Sequence, residues 1–103
     1  MAYNLRKVFT ITTSPFNVNF DHDRYDEVIF LANEASGTIN LPSAVAFQAA
    51  IFIKKVAAAA GTITIAPFGS ETIDGAANFS LAAQFKFVHL VSDNANWQIF
   101  ASN

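Results

Sequence analysis

Apolar and polar residues alternate with a period of two along most of this chain, which is the signature of strands half buried in a sheet. Val8, Thr10 and Thr12 alternate with Phe9, Ile11 and Thr13, and Phe16, Val18 and Phe20 are spaced by Asn17 and Asn19. The polar cluster at 21–26 reads as a loop. Residues 27–32 (EVIFLA) are apolar on both parities and predict a strand covered on both sides. Alternation resumes at 38–41 (TINL) with Ile39 and Leu41 inward, and Pro42 stops that strand. Residues 43–50 predict the single helical stretch, with Ser43 as its cap and Phe47 and Ile51 on one face.

In the second half, 51–56 (IFIKKV) places Ile51 and Ile53 opposite Phe52, so Lys54 and Lys55 point to opposite sides. The alanine block 57–60 is too short for a helix and reads as a connection. Residues 62–66 (TITIA) send Ile63 and Ile65 inward, Pro67 and Gly69 make a turn, and short strands at 71–73 and 78–81 flank the turn at Asp74 and Gly75. The longest strand is 85–91, with Phe85, Phe87, His89 and Val91 on one face and Lys86, Val88 and Leu90 on the other. After turn chemistry at 92–96, residues 97–100 close a hairpin with it. Many short strands without a long helix predict an all-β fold, a small antiparallel β-sandwich or jelly-roll-like barrel. TINL and TITI look alike, yet no clean internal period emerges, and short alternating strands converge on such strings.

Composition changes this picture in one direction. The chain has 103 residues, enough for one domain spanning 1–103, and 52% of them are apolar, with 11 phenylalanines. Only 14% are charged, against roughly 25% in an average globular domain. Val8 with Phe9, Val28 with Ile29, Phe30 with Leu31, and Ile51 with Phe52 place large side chains on both faces of their strands. A single copy would therefore expose apolar surface, and a permanent subunit interface removes it from water. The expectation is a symmetric oligomer, with Phe9, Phe16, Phe20, Phe30, Phe52, Phe85, Phe87 and Trp97 as interface candidates. A net charge of -2 offers no electrostatic footprint for nucleic acid or an anionic membrane.

Candidate chemistry is sparse. There is no cysteine, hence no disulfide, thiolate nucleophile or thiolate-bound zinc. His22 and His89 are the two histidines. Strand parity sends His89 and Ser92 to opposite faces, which argues against a Ser–His–Asp relay with Asp93 and leaves His89 as a hydrogen-bonded strand histidine. Asp21, His22, Asp23 and Asp26 are the candidates for holding a metal ion, but they lack the ordered ligand spacing of a calcium loop and read better as a solvated turn. Glu71 and Asp74 read as a strand end and a turn rather than a glycosidase pair. Trp97 reads as core or interface packing rather than a sugar platform. No catalytic residue and no cofactor is expected.

An ordered set of strings carries a family likeness. Leu41-Pro42-Ser43-Ala44, Ile53-Lys54-Lys55, Thr62-Ile63-Thr64-Ile65, Glu71-Thr72-Ile73-Asp74-Gly75-Ala76 and Leu90-Val91-Ser92-Asp93 followed by Asn96-Trp97 occur in this order within 39–100. That segment resembles a small β-structured surface module of tailed-bacteriophage virion proteins, found in head fibres, tail fibres and capsid decorations. The resemblance implies a virion location, a homotrimer, no enzymatic residues, and contacts with the major capsid protein or other virion proteins. The chain departs from the pattern at Gln48-Ala49-Ala50, at the alanine block, and at Asn94-Ala95-Asn96. With a leading Met and no repetitive shaft, the expected role is a capsid decoration (cement) protein. The alternatives are a head-fibre, tail-fibre or tail-tip component for host attachment, or a module that binds a host glycan. Residues 1–20 precede the resembling segment and are expected to act as a partner-contacting arm, by strand addition to an open edge.

Overall fold

Alternation is converted into strands wherever one parity can be buried. The computed structural model describes residues 6–20 and 24–103. Over these residues the strands are β1 (Arg6–Ile11), β2 (Phe16–Asn17), β3 (Glu27–Ala32), β4 (Gly37–Asn40), β5 (Ala50–Lys55), β6 (Ile63–Ala66), β7 (Phe79–Leu81), β8 (Phe87–Ser92) and β9 (Trp97–Ser102). They form two sheets, the first in the order β1-β3-β5-β8-β9 and the second in the order β2-β4-β6-β7. Buried side chains of both sheets join in one hydrophobic cluster, so the all-β, two-sheet, sandwich-like expectation holds.

The pairing directions differ from the antiparallel expectation. β1 with β3, β3 with β5, β2 with β4, and β4 with β6 all run parallel. The chain passes from the first sheet to the second and back, so each turn lays one strand on each sheet beside the strand of the turn before. Three such rungs stack. The chain then reverses, laying β7 antiparallel on β6, β8 on β5, and β9 on β8. Parallel neighbours need a long crossover, and here a strand of the opposite sheet supplies it in place of a helix. Nor do the strands close into a barrel: they remain two sheets.

The stack also explains the two similar strings. Thr38 pairs with Thr64 and Ile39 with Ile65, so the first two residues of TINL lie beside the last two of TITI in successive rungs. The corners repeat as well. The Ser14 hydroxyl accepts the Thr38 N–H at 2.6 Å, and the Ser36 hydroxyl accepts the Thr62 N–H at 3.3 Å. At the third corner Gly61 is required, because a Cβ there would lie 2.3 Å from the Ala35 carbonyl oxygen. The rungs differ in length, as Glu27 follows Arg6 but Ala50 follows Glu27 at a wider spacing, and this blurs the period in the sequence.

Three local expectations are corrected. No helix forms at 43–50, where Ala46 adopts φ 58°, outside the right-handed helical region, and the Ser43 hydroxyl is turned to Glu71. Phe85, with φ 69°, lies before β8 rather than in it. Residues 71–73 contribute only isolated bridges, from Ile73 to Ala76 and to Trp97. In addition, β3 is buried along Val28, Phe30 and Ala32 alone, and its other parity, Ile29 and Leu31, is half-buried on the outer side.

Inward ladders fill the space between the sheets. Phe9 lies beside Phe30, Phe30 beside Ile53, and Ile53 beside Val88. Phe30 is the hub of an aromatic chain: Phe9 stacks on it at 5.4 Å, Phe16 and Phe20 tilt onto it, Phe20 meets Phe47 edge-on, and Phe47 meets Trp97 at 5.1 Å. Lys55 continues the inward parity of Ile51 and Ile53 and is 1% exposed, its ammonium donating to the Ala57 and Ala59 carbonyls at 3.1 and 2.9 Å. Residues 6–17, within the segment expected as an arm, provide the first rung.

Truncating the hub tests the aromatic chain: Phe30→Ala is expected to cost about 3–5 kcal/mol in denaturant unfolding. Removing the ammonium tests the corner: Lys55→Ala should cost about 2–3 kcal/mol through its charge-assisted bonds, with faster proteolysis at the alanine block.

Candidate interaction surfaces

The polar candidates divide sharply. Asp21, His22 and Asp23 lie outside the described residues, and the Asp26 carbonyl accepts the Ala50 N–H, joining the strand ends of β3 and β5. Among the described residues no three His, Asp or Glu side chains converge as a metal site would require. His89 sits on the outer side of the first sheet, stacked on Phe52 at 3.9 Å and 6.3 Å from Phe100. It does not meet the hydrogen-bonded expectation at Nε2, which is buried without a partner among the described residues. The physical reason is its position: outward parity on an inner strand surrounds the ring with Phe52 and Phe100 rather than with turn donors.

Ser92 and Asp93 serve the turn between β8 and β9 instead. The Ser92 hydroxyl donates to the Ala44 carbonyl and accepts the Asn94 N–H. Asp93 accepts the N–H groups of Asn96 and Ala95 and the Gln98 side-chain amide. Those donors, Asn96 first, hold its carboxyl below the usual range.

Glu71 organises the neighbouring loops. Its carboxylate accepts the Ser43 hydroxyl at 2.7 Å and the Ala44 N–H at 2.8 Å, while its own N–H donates to the Phe68 carbonyl. Asn94 adds an acceptor for the Ala46 N–H, and the Trp97 indole donates to the Pro42 carbonyl. Asp74 takes part in the same region by accepting the Ile99 N–H. Loops fixed in this way display two apolar side chains beside one carboxylate, Val45 at 61% exposure and Phe68 at 58%. Exposed apolar side chains on hydrogen-bonded loops are available to a partner surface without further ordering of the backbone. Neither residue stands out in the sequence, because Val45 falls in an apparent helix and Phe68 within a Pro–Gly turn. The one available signal is that Phe68 has no strand parity to bury it.

The two sheets differ on their outer sides. Asn17, Thr38, Asn40, Thr64 and Ser80 cover the second sheet, with Asn40 donating to the Asn17 side chain at 2.9 Å. The first sheet instead presents the row Val8, Ile29, Phe52, His89 and Ala101. Phe87 and Leu31 extend that surface, and the register shift after His89 leaves Phe100 68% exposed beside it. Of the two sheet faces, the first therefore carries the apolar surface, while Val45 and Phe68 expose theirs on loops.

The interface candidates separate accordingly. Phe30 and Trp97 are buried in the core and have no surface to offer, and Phe9, Phe16 and Phe20 pack against that core. Phe52 and Phe87 lie half-buried on the outer side of the first sheet. Phe85 is exposed beside them, its ring 5.3 Å from the Lys54 ammonium.

Asp93 yields a pH test. A lowered carboxyl adds stability above the usual carboxylate range and loses it as pH falls through that range to the lowered value. Asp93→Asn should therefore flatten the fall in stability as pH drops through and below the usual carboxylate range in denaturant titrations.

No protein-family model and no curated protein matches the chain, so the arrangement of its own residues carries the functional reading.

Proposed function

We propose that this chain is a non-enzymatic structural protein of a tailed-phage particle, a capsid decoration (cement) protein that binds the coat shell and stabilises it. The observation that carries the reading is the Glu71-centred loop pair, which holds Val45 and Phe68 out of the fold on fixed backbone. Preorganised apolar side chains of this kind keep the ordering cost of binding low, because the loops are already in one conformation. The residue strings within 39–100 point to the same setting. On this reading Val45 and Phe68 insert between coat subunits, and the amide and hydroxyl face of the second sheet stays in water.

Co-sedimentation with empty heads built from the major capsid protein of the same virus tests this. Wild-type protein should pellet with the heads and raise their melting temperature. Val45→Asp and Phe68→Asp should each weaken binding by about 2 kcal/mol or more, whereas Thr64→Asp on the second sheet should leave it unchanged. Heads that bind none of these proteins, or bind all of them equally, would sink the proposal.

A further inference from the structure

The outer face of the first sheet has a size and a charge pattern that bear on what covers it. Five strands at about 4.8 Å spacing and six residues at about 3.3 Å rise give a face of roughly 480 Å². One such face is about the size of the largest patch a monomer commonly exposes, and two placed together come just under the roughly 1,000 Å² floor of a specific interface. Aligned sheets pack on one another about 10 Å apart.

Charge then selects the orientation. Within the strands of this face the charged residues are Arg6, Glu27 and Lys54. Arg6 and Glu27 form an ion pair where β1 and β3 begin, whereas Lys54 stands near the far end of β5, the central strand. A two-fold axis running along the strands would superpose the Lys54 side chains of two copies. An axis running across the strands sets each Lys54 over the opposite end of β5, at Ala50, clear of its counterpart and one strand from the Arg6–Glu27 ion pair of the other copy. That axis follows the uncharged row Val8, Ile29, Phe52, His89 and Ala101, so each of these residues meets its own counterpart.

We propose that two copies of this chain pair face to face through the outer side of the first sheet, about a two-fold axis along the Val8–Ile29–Phe52–His89–Ala101 row. This is a dimer in place of the trimer that the family likeness implies. It stands apart from the particle reading, since it concerns the free protein and uses none of the Glu71-centred loops.

The test is the mass of the full chain in solution together with site-specific cross-linking. Sedimentation equilibrium should give twice the 11.1 kDa chain mass. Val8 is 50% exposed, so Val8→Asp should leave the unfolding midpoint of the dilute protein unchanged. It sets two carboxylates against each other across the axis and should raise the dimer dissociation constant about 100-fold or more. The chain has no cysteine, so Val8→Cys treated with a bis-maleimide spanning about 10 Å should give a covalent dimer. Lys54→Cys and Ser80→Cys should not. A monomer or trimer by mass, an undiminished dimer in Val8→Asp, or cross-linking at Lys54→Cys or Ser80→Cys would each overturn the proposal. Loss of shell binding by Val45→Asp with the dimer intact bears only on the particle reading.

Discussion

Everything in this molecule depends on stacking inward side chains from one rung onto the next. A single rung, such as β1 with β2, has one row of apolar side chains and nothing to cover it. Placed beside its successor, the row becomes a ladder: Phe9 on Phe30, Phe30 beside Ile53, and Ile39 beside Ile65. Backbone bonding follows the same path, since the ladder extends beyond the strands through the bonds from Asn33 to Ile11, from Val56 to Ala32 and from Val18 to Asn40. Stability in such a stack comes from neighbour-to-neighbour burial rather than from one central nucleus.

The two ends of the stack are finished differently. At one end the chain folds back in antiparallel strands, and the Glu71 carboxylate, Asn94, Asn96 and Trp97 join the loops of that region into one hydrogen-bonded unit. At the other, β1 and β2 are the outermost strands of their sheets. The same chain therefore combines a stack of parallel rungs with loops joined by side-chain hydrogen bonds.

Much of the fold was legible in the residues. The parity of Ile39, Leu41, Ile51, Ile53, Ile63, Ile65, Val88 and Leu90 matches their burial, and the opposed directions of Lys54 and Lys55 follow from strand geometry. The surplus of apolar outer positions was legible too, but not its location on one sheet. Val45 and Phe68 were hidden because their exposure arises from loops tied to residues distant in sequence. The helix expected at 43–50 failed for the same reason: Ser43, Ala44 and Ala46 find their partners at Glu71 and Asn94, and those bonds outweigh a short segment's weak helical preference.

What the sequence determines by itself is the period of two, the inward face of the strands that alternate, the turns at Pro, Gly, Asn and Asp, and the lack of thiol chemistry. These are local properties, set by side-chain polarity and backbone preference within a few residues. Which strands become neighbours, and in which direction, only the tertiary structure decides. A period of two is the same for parallel and antiparallel partners, so alternation cannot tell a meander from a stack of rungs. The choice falls to the fit of whole ladders, where Phe30 gathers Phe9, Phe16 and Phe20 around it, and that fit exists only once residues far apart in the chain have met.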